Sequence, residues 1–254
     1  MILTIDVGNS SISMSLFDKK GSIMFNSAIE TELGRSRDRL AVDIKNIFQL
    51  YGFDISVVDG AAISSVVPPV TPNIESAVEF LIHKTPITIG PGVKTGLNIL
   101  TEMHTQLGSD IVAAAVGAIK YYSPPLIIID MGTATAVTAI NAKGDLLGCS
   151  IMPGVRVSLE ALWEHTAQLP RISIEPPKSV IGRNTIESMR SGIIFGTAAM
   201  LDGIIERMEA KIGHASVIAT GGNVTGIIEY CKKDMIVDPS LVMRGLFEIY
   251  LRNK

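Results

Sequence analysis

Two aspartates in matching turns are the residues whose types and spacing most suggest chemistry. Asp6-Val7-Gly8-Asn9-Ser10 and Asp130-Met131-Gly132-Thr133-Ala134-Thr135 each follow a short apolar run. A phosphate chain needs N–H donors, close backbone approach and a divalent cation to offset its charge. The glycine of each turn lets the backbone approach a phosphate oxygen. Asn9, Ser10 and Ser11 in the first turn, and Thr133 and Thr135 in the second, add hydrogen bonds, and either aspartate can hold a cation directly or through water. A third turn, Ala219-Thr220-Gly221-Gly222-Asn223, follows another apolar run. Two adjacent glycines there let backbone pack on a flat adenine or ribose, and a helix starting after them adds an electropositive N-terminus. Read singly, these are ordinary turns with Asp and Gly as turn formers. Two Asp-x-Gly turns in equivalent places of two halves favour phosphate binding.

The elements that must position these turns are legible from periodicity. Ile2 to Ile5 is an apolar run, and Ser11 to Phe17 alternates polar and apolar, so the first turn joins two strands, with a third strand through Phe25. Helical spacing runs from about Ser36 to Tyr51 and from Pro72 to His83; strands are expected at Gly60–Val67 and Pro86–Ile89. The second half opens in the same way, with Leu126–Ile129, alternation to Ile140, and a Lys143-Gly144-Asp145 turn. Asp6 and Asp130 stand 124 residues apart, close to half the chain, as a duplicated fold requires. Superposed at that offset, Ser11 meets Thr135. Helices are expected at Arg156–His165 and Thr185–Lys211, a strand at Val217–Thr220, and a last helix after Asp238-Pro239. Pro124-Pro125 marks the boundary, giving halves 1–122 and 123–254.

Composition narrows the function class. The chain has 254 residues, 47% of them hydrophobic, enough for one large domain or two of ordinary size. Its 22 Lys and Arg against 25 Asp and Glu leave no basic surplus for nucleic acid or anionic lipid. Mean hydropathy is +0.37, yet no uncharged apolar run is long enough to span a membrane. No secretory leader is visible, since Asp6 interrupts the first apolar run. Cys149 and Cys231 lack zinc spacing and read as small buried hydrophobes in a reducing cytosol. His83, His104, His165 and His214 are scattered. Lys94, in a glycine-rich stretch, has the wrong spacing for a P-loop lysine. A cytoplasmic globular protein is expected.

The order of two phosphate turns and a late Gly-Gly turn resembles the actin, sugar kinase and Hsp70 superfamily. More narrowly, the chain resembles type III pantothenate kinase, over nearly its whole length. The stretches that carry this are Asp6 to Ser10, Ser65-Val-Val-Pro68, Gly90-Pro-Gly-Val-Lys-Thr-Gly96, Gly108-Ser-Asp110, Asp130 to Thr135, Met152-Pro-Gly154, Thr166-Ala-Gln-Leu-Pro170, Gly182-Arg-Asn-Thr185, Ser191-Gly192 and Ala219-Thr-Gly-Gly222.

The resemblance implies roles. Asp6, Val7, Gly8, Asn9, Ser10, Ser11, Ile12 and Ser13 would line the ATP phosphates, with Asp6 reaching Mg2+ through water. Thr133 would touch ATP, and Gly221 and Gly222 would take its adenosine. Asp130 would bind a monovalent cation, K+ or NH4+. Asp110 would be the catalytic base beside the primary hydroxyl of pantothenate, and Gly108, Ser109, Asp110, Ile111 and Thr185 would hold that substrate. One carboxylate aimed at the acceptor suffices, because phosphoryl transfer asks mostly for positioning and charge neutralisation. Asp110 and Ser109 are also well suited to cap the helix Ile111–Lys120, and Asp110 can do both.

The departures from the family pattern cluster on the substrate side, while the ATP-side motifs are largely intact. Ile111 replaces the usual arginine after Gly-x-Asp, Thr101-Glu-Met-His104 replaces a segment with Tyr and Asn-Pro, and Ala136 replaces a threonine after the second turn; His104 is the one histidine retained as a candidate. A hydrophobe cannot do an arginine's work on a carboxylate. Three readings follow: a pantothenate kinase, a nucleotide-binding regulator that has lost turnover, and a kinase of the same fold for another hydroxyl compound. The expected architecture is α/β, two duplicated RNase H-like, actin-like ATPase domains with a central nucleotide cleft. The halves are expected to close over substrate. By resemblance the protein would be a homodimer with the pantothenate site at or near the dimer interface.

Overall fold

A computed structural model describes residues 1–102 and 107–254. The chain forms two compact units. One comprises Met1–Leu97, Glu102–Lys120 and Ser240–Lys254; the other comprises Asn98–Thr101 and Tyr121–Pro239.

The first unit is built on β1 (Ile2–Val7), β2 (Ser11–Phe17), β3 (Ile23–Glu30), β4 (Gly60–Ser65) and β5 (Ile87–Thr88), in the order β3-β2-β1-β4-β5. β1, β2 and β3 pair antiparallel, while β1, β4 and β5 run parallel. α1 (Arg37–Leu50) and α2 (Thr71–Ile82) cover one face, burying Leu3, Ile5 and Val7 of β1 with Ile12, Met14 and Leu16 of β2. Ser36 caps α1, its hydroxyl accepting from the Arg39 N–H at 3.3 Å. The third strand runs on to Glu30, beyond the expected end at Phe25.

The second unit repeats the pattern with β6 (Leu126–Met131), β7 (Ala134–Ile140), β8 (Leu146–Pro153), β9 (Ser216–Thr220) and β10 (Ile236–Val237), in the order β10-β9-β6-β7-β8. α3 (Ser109–Tyr121) precedes it in the chain, and α4 (Val155–Glu164) and α5 (Thr185–Ile212) pack on one face of its sheet. The two sheets have the same strand order and the same mixture of parallel and antiparallel pairs. The duplication is therefore real at the level of topology.

The last helix, α6 (Leu241–Asn253), packs on β1, β4 and β2, so it belongs to the first unit, whereas the expected halves assigned it to the second. Its Phe247 ring stacks on Phe17 at 4.8 Å between centroids. α6 covers the face of the first sheet that α1 and α2 leave, so β1 is buried on both sides. That fits the mostly apolar make-up of Ile2 to Ile5, with Thr4 facing Met243 of α6. α3 in turn lies against α6 at backbone contact. A Cβ on Gly117 would stand 2.5 Å from the Leu241 carbonyl, and one on Gly245 would collide with the Ala113 carbonyl. These two glycines let α3 and α6 approach each other at backbone distance. Among the described residues, no helix is long and apolar enough to cross a membrane.

Candidate active site

The first turn is a three-residue loop between β1 and β2, with Val7 paired to Ile12. The Gly8 N–H donates to the Ser11 carbonyl at 2.9 Å. Thr31, just past β3, donates its hydroxyl to the Gly8 carbonyl at 2.7 Å and its N–H to the Ser10 carbonyl at 3.2 Å. The loop is thereby held in one conformation, with Asn9, Ser10 and Ser11 exposed at its tip. Strand alternation sorts the remaining residues. Val7 and Ile12 point into the core under α1 and α2, so their side chains are withdrawn from a ligand. Asp6 points to the opposite face, directly between Ser13 on β2 and Ser64 on β4.

Asp110 approaches the same face from the start of α3. The Ser109 hydroxyl lies 2.9 Å from the Ser64 hydroxyl; it also accepts from the Ser65 N–H at 2.9 Å and donates to the Ser65 carbonyl at 3.0 Å. The Asp110 carboxylate folds back and accepts from the Ile111 N–H at 2.7 Å. It lies over Gly108, where a Cβ would collide with Oδ1. Burial pushes the Asp110 carboxyl above the ordinary aspartate range, against the opposing pull of the Ile111 and Asp110 N–H groups. A buried carboxylate of raised basicity at a helix start is well suited to accept a proton. Asp110 thus sits within the first turn of α3 and also binds that turn's backbone.

The second turn is one residue shorter than the first, because Met131 pairs with Thr135. Asp130 consequently lies between Ala136 on β7 and Thr220 on β9, as Asp6 lies between Ser13 and Ser64. This corrects the alignment of Ser11 with Thr135. Thr135 corresponds to Ile12, is fully buried on the face of the sheet opposite Asp130, and its hydroxyl has no hydrogen-bond partner. It cannot serve the phosphate role expected of it. Thr133 remains exposed at the tip.

Two further turns close on this one. The Gly154 N–H donates to the Thr133 carbonyl at 3.0 Å, and a Cβ on Gly154 would collide with the Gly132 and Thr133 carbonyls. Asn223 donates from its side chain to the Met131 and Gly132 carbonyls, both at 3.3 Å. Gly221, at φ +99°, passes so close that a Cβ would stand 2.6 Å from the Met131 N and 2.7 Å from Asp130 Oδ1. No α-helix begins directly at Gly222; the next element is a short 3-10 helix, Ile228–Tyr230, so the electropositive helix start expected at this turn is absent. β8, Gly154, Asn223 and Thr31 were not assigned site roles from sequence. Their visible signals are the Met152-Pro-Gly154 motif and the place of Asn223 at the end of the third turn.

Thr185 opens α5 next to its cap Asn184 and lines an open cavity of about 700 Å³ with Ser158 and Leu162 of α4, Leu169, and Ser188 and Met189 of α5. Residues 103–106, which include the candidate His104, lie outside the described residues. Burial, helped by Asp202, pushes the Cys231 thiol up to about 11, which keeps it protonated and unreactive. Among the described residues, no group of three or more His, Cys, Asp and Glu is arranged to hold a metal ion.

A family model described as type III pantothenate kinase matches residues 2–207. A type III pantothenate kinase of Exiguobacterium sibiricum is 42% identical over 254 residues, covering 100% of both chains. One of Halalkalibacterium halodurans is 39% identical over the same length, again covering 100% of both. Among solved structures, the activator of 2-hydroxyisocaproyl-CoA dehydratase from Clostridium difficile, with bound ADPNP, superposes with TM-score 0.59 at 13% identity, over 98% of this chain and 93% of that one.

Proposed function

The chain belongs to the type III pantothenate kinase family, and from that premise we propose how its residues divide the work. The enzyme phosphorylates pantothenate in coenzyme A synthesis, using ATP. The observation that carries this is identity at the 40% level along the entire chain, with both ends covered.

In the proposed arrangement the first turn cradles the ATP phosphates. Val7, Gly8 and Ile12 shape the loop, the side chains of Asn9, Ser10, Ser11 and Ser13 supply hydrogen bonds to the phosphates, and Asp6 would reach Mg2+ through water. The residues fit that ion. Mg2+ keeps several waters and takes one or two carboxylates plus phosphate oxygens, so Asp6 beside the Ser13 hydroxyl is a suitable partner. The bound ion supplies charge neutralisation on the phosphates. Thr133 contributes a hydroxyl to ATP, and the exposed backbone at Gly222, beside Gly221, accepts adenosine. Asp110 takes the proton of pantothenate's primary hydroxyl as that oxygen bonds to the γ-phosphorus of ATP, and the bond from that phosphorus to the β,γ-bridging oxygen breaks to release ADP. Gly108, Ile111 and Thr185 shape the pantothenate site.

Asp130 is proposed to hold the monovalent cation. Its support is its place: a carboxylate in the second turn, at the position that Asp6 takes in the first, beside Thr220 on β9. K+ or NH4+ is expected to stimulate turnover of the wild type and to lose that effect in Asp130→Asn; stimulation kept by the variant would remove the assignment. A homodimer is also proposed, supported by the exposed apolar side chains Ile151, Val180 and Ile181 of the second unit. A monomer in analytical ultracentrifugation would exclude it. The cytoplasm is its proposed location, which cell fractionation tests.

The decisive assay incubates the pure protein with ATP, Mg2+, K+ and pantothenate. Formation of 4′-phosphopantothenate, identified by mass, is expected. Nucleotide binding without product would instead support a regulator that has lost turnover.

A further inference from the structure

Ser109 lies in the motif of the catalytic base, and by sequence it reads as a substrate ligand. Its hydroxyl has a different occupation. A serine Oγ carries one hydrogen and two acceptor lone pairs. The hydrogen goes to the Ser65 carbonyl at 3.0 Å, and one lone pair accepts the Ser65 N–H at 2.9 Å. The Ser64 hydroxyl, 2.9 Å away, therefore donates to the remaining lone pair. Nothing is left for a substrate.

The two partners are the residues that register β4 against the phosphate turn. Ser64 pairs with Asp6 and Ser65 with Val7, and the Val66 N–H continues the ladder by donating to the Val7 carbonyl at 3.1 Å. Ser64 is fully buried, so this link is shielded from water. On the other side, Ser109 is the residue before Asp110, whose carboxylate folds over Gly108. The base and the phosphate turn thus share one frame of reference, and Ser109 is the joint between them.

We propose that Ser109, locked to Ser64 and Ser65, is a positioning residue that fixes Asp110 against the Asp6 turn, and that it does not bind substrate. The proposal rests on the reading of Asp110 as the base. Misplacing a reacting group by about 1 Å can cost roughly 100-fold in rate, which sets the expected scale. Burial of the Asp110 carboxyl also depends on α3 lying close to β4, so loosening the joint exposes it.

The test uses the full-length enzyme under steady-state conditions. Ser109→Ala is expected to lower kcat by about 10- to 100-fold while KM for pantothenate stays within about threefold of wild type. The acidic limb of its pH profile should move toward the ordinary aspartate range, because the carboxyl becomes better solvated. Ser109→Thr, which keeps the hydroxyl, should recover most of the rate. Ser64→Ala removes one of the three bonds and should give a smaller loss in kcat, and the double variant should lose less than the product of the two single losses. A rise in KM at unchanged kcat would overturn the proposal and make Ser109 a substrate ligand. Wild-type kcat in Ser109→Ala alongside an inactive Asp110→Asn would overturn the proposal and leave the base assignment intact. Full activity in Asp110→Asn would overturn the base assignment itself. If Ser109→Ala fails to fold, Ser64→Ala decides: unchanged kcat and pH profile there would overturn the proposal.

Discussion

Asp110→Asn is expected to lower kcat for pantothenate phosphorylation by about 100- to 10,000-fold while leaving ATP binding intact. The side chain keeps its shape, and Oδ1 of asparagine can still accept the Ile111 N–H bond seen at 2.7 Å. What is lost is the capacity to take a proton. The same substitution should not lower stability. Burial raises the folded carboxyl above its unfolded value, so the folded state prefers the neutral form. The stabilising contribution of that protonation is present below the unfolded value, near 3.9 for aspartate, and is lost as pH rises through the folded one. At neutral pH the ionised Asp110 is therefore a cost, and removing the charge should leave Tm equal to or above wild type. The advantage should shrink as the pH is lowered toward 4. In the wild-type enzyme, kcat/KM should fall in acid at a pH above the ordinary aspartate range. A kcat for Asp110→Asn within threefold of wild type would remove the base assignment; a lower Tm would contradict the account of its burial.

The glycine pair of the third turn gives the second large effect, with opposite outcomes at adjacent positions. Gly221 has φ +99° and no room for a Cβ, which would press on the Met131 backbone at 2.6 Å. Gly221→Ala is expected to cost about 3 kcal/mol from backbone strain and displacement of the Asp130 turn. ATP affinity should fall with it. Gly222 has nothing within 4 Å of its would-be Cβ and no positive φ, so Gly222→Ala should change stability by less than about 0.5 kcal/mol. It should still weaken ATP binding, because the methyl group stands where adenosine is proposed to rest on bare backbone. Urea midpoints and ATP titrations of the two variants check this. Equal destabilisation by both would sink the steric argument, and unchanged ATP affinity in Gly222→Ala would remove the adenosine contact.

Much of this was visible before folding was considered. The apolar runs into Asp6 and Asp130, the alternation after each turn, the helical spacing of α1, α2, α4 and α5, and the half-chain repeat are all local patterns, and local patterns carry strand and helix identity. The Gly108-Ser-Asp110 motif likewise pointed to the start of α3. The misplacement of Thr135 has a local physical origin. The second turn is one residue shorter than the first, and a one-residue shift in a strand with period two moves every later side chain to the other face. That shift takes Thr135 away from the phosphate side and into the core beside Met131 and Val137.

By itself, then, the sequence determined the duplicated strand openings, the positions of the three aspartates and the family of the chain. Tertiary structure alone decided how those residues are held. The hydroxyl of Ser109 is used up by β4, a segment 45 residues away in the chain from Ser64 to Ser109. Gly154 and Asn223 brace a turn that neither adjoins in sequence. α6 completes the first sheet although it follows the second unit. Each is a contact between segments distant along the chain, and such contacts depend on which faces are left uncovered after the local elements have formed. The two Asp-x-Gly turns look alike as strings. They differ in the folded protein because Asp6 is flanked by two serine hydroxyls and Asp130 by an alanine and a threonine.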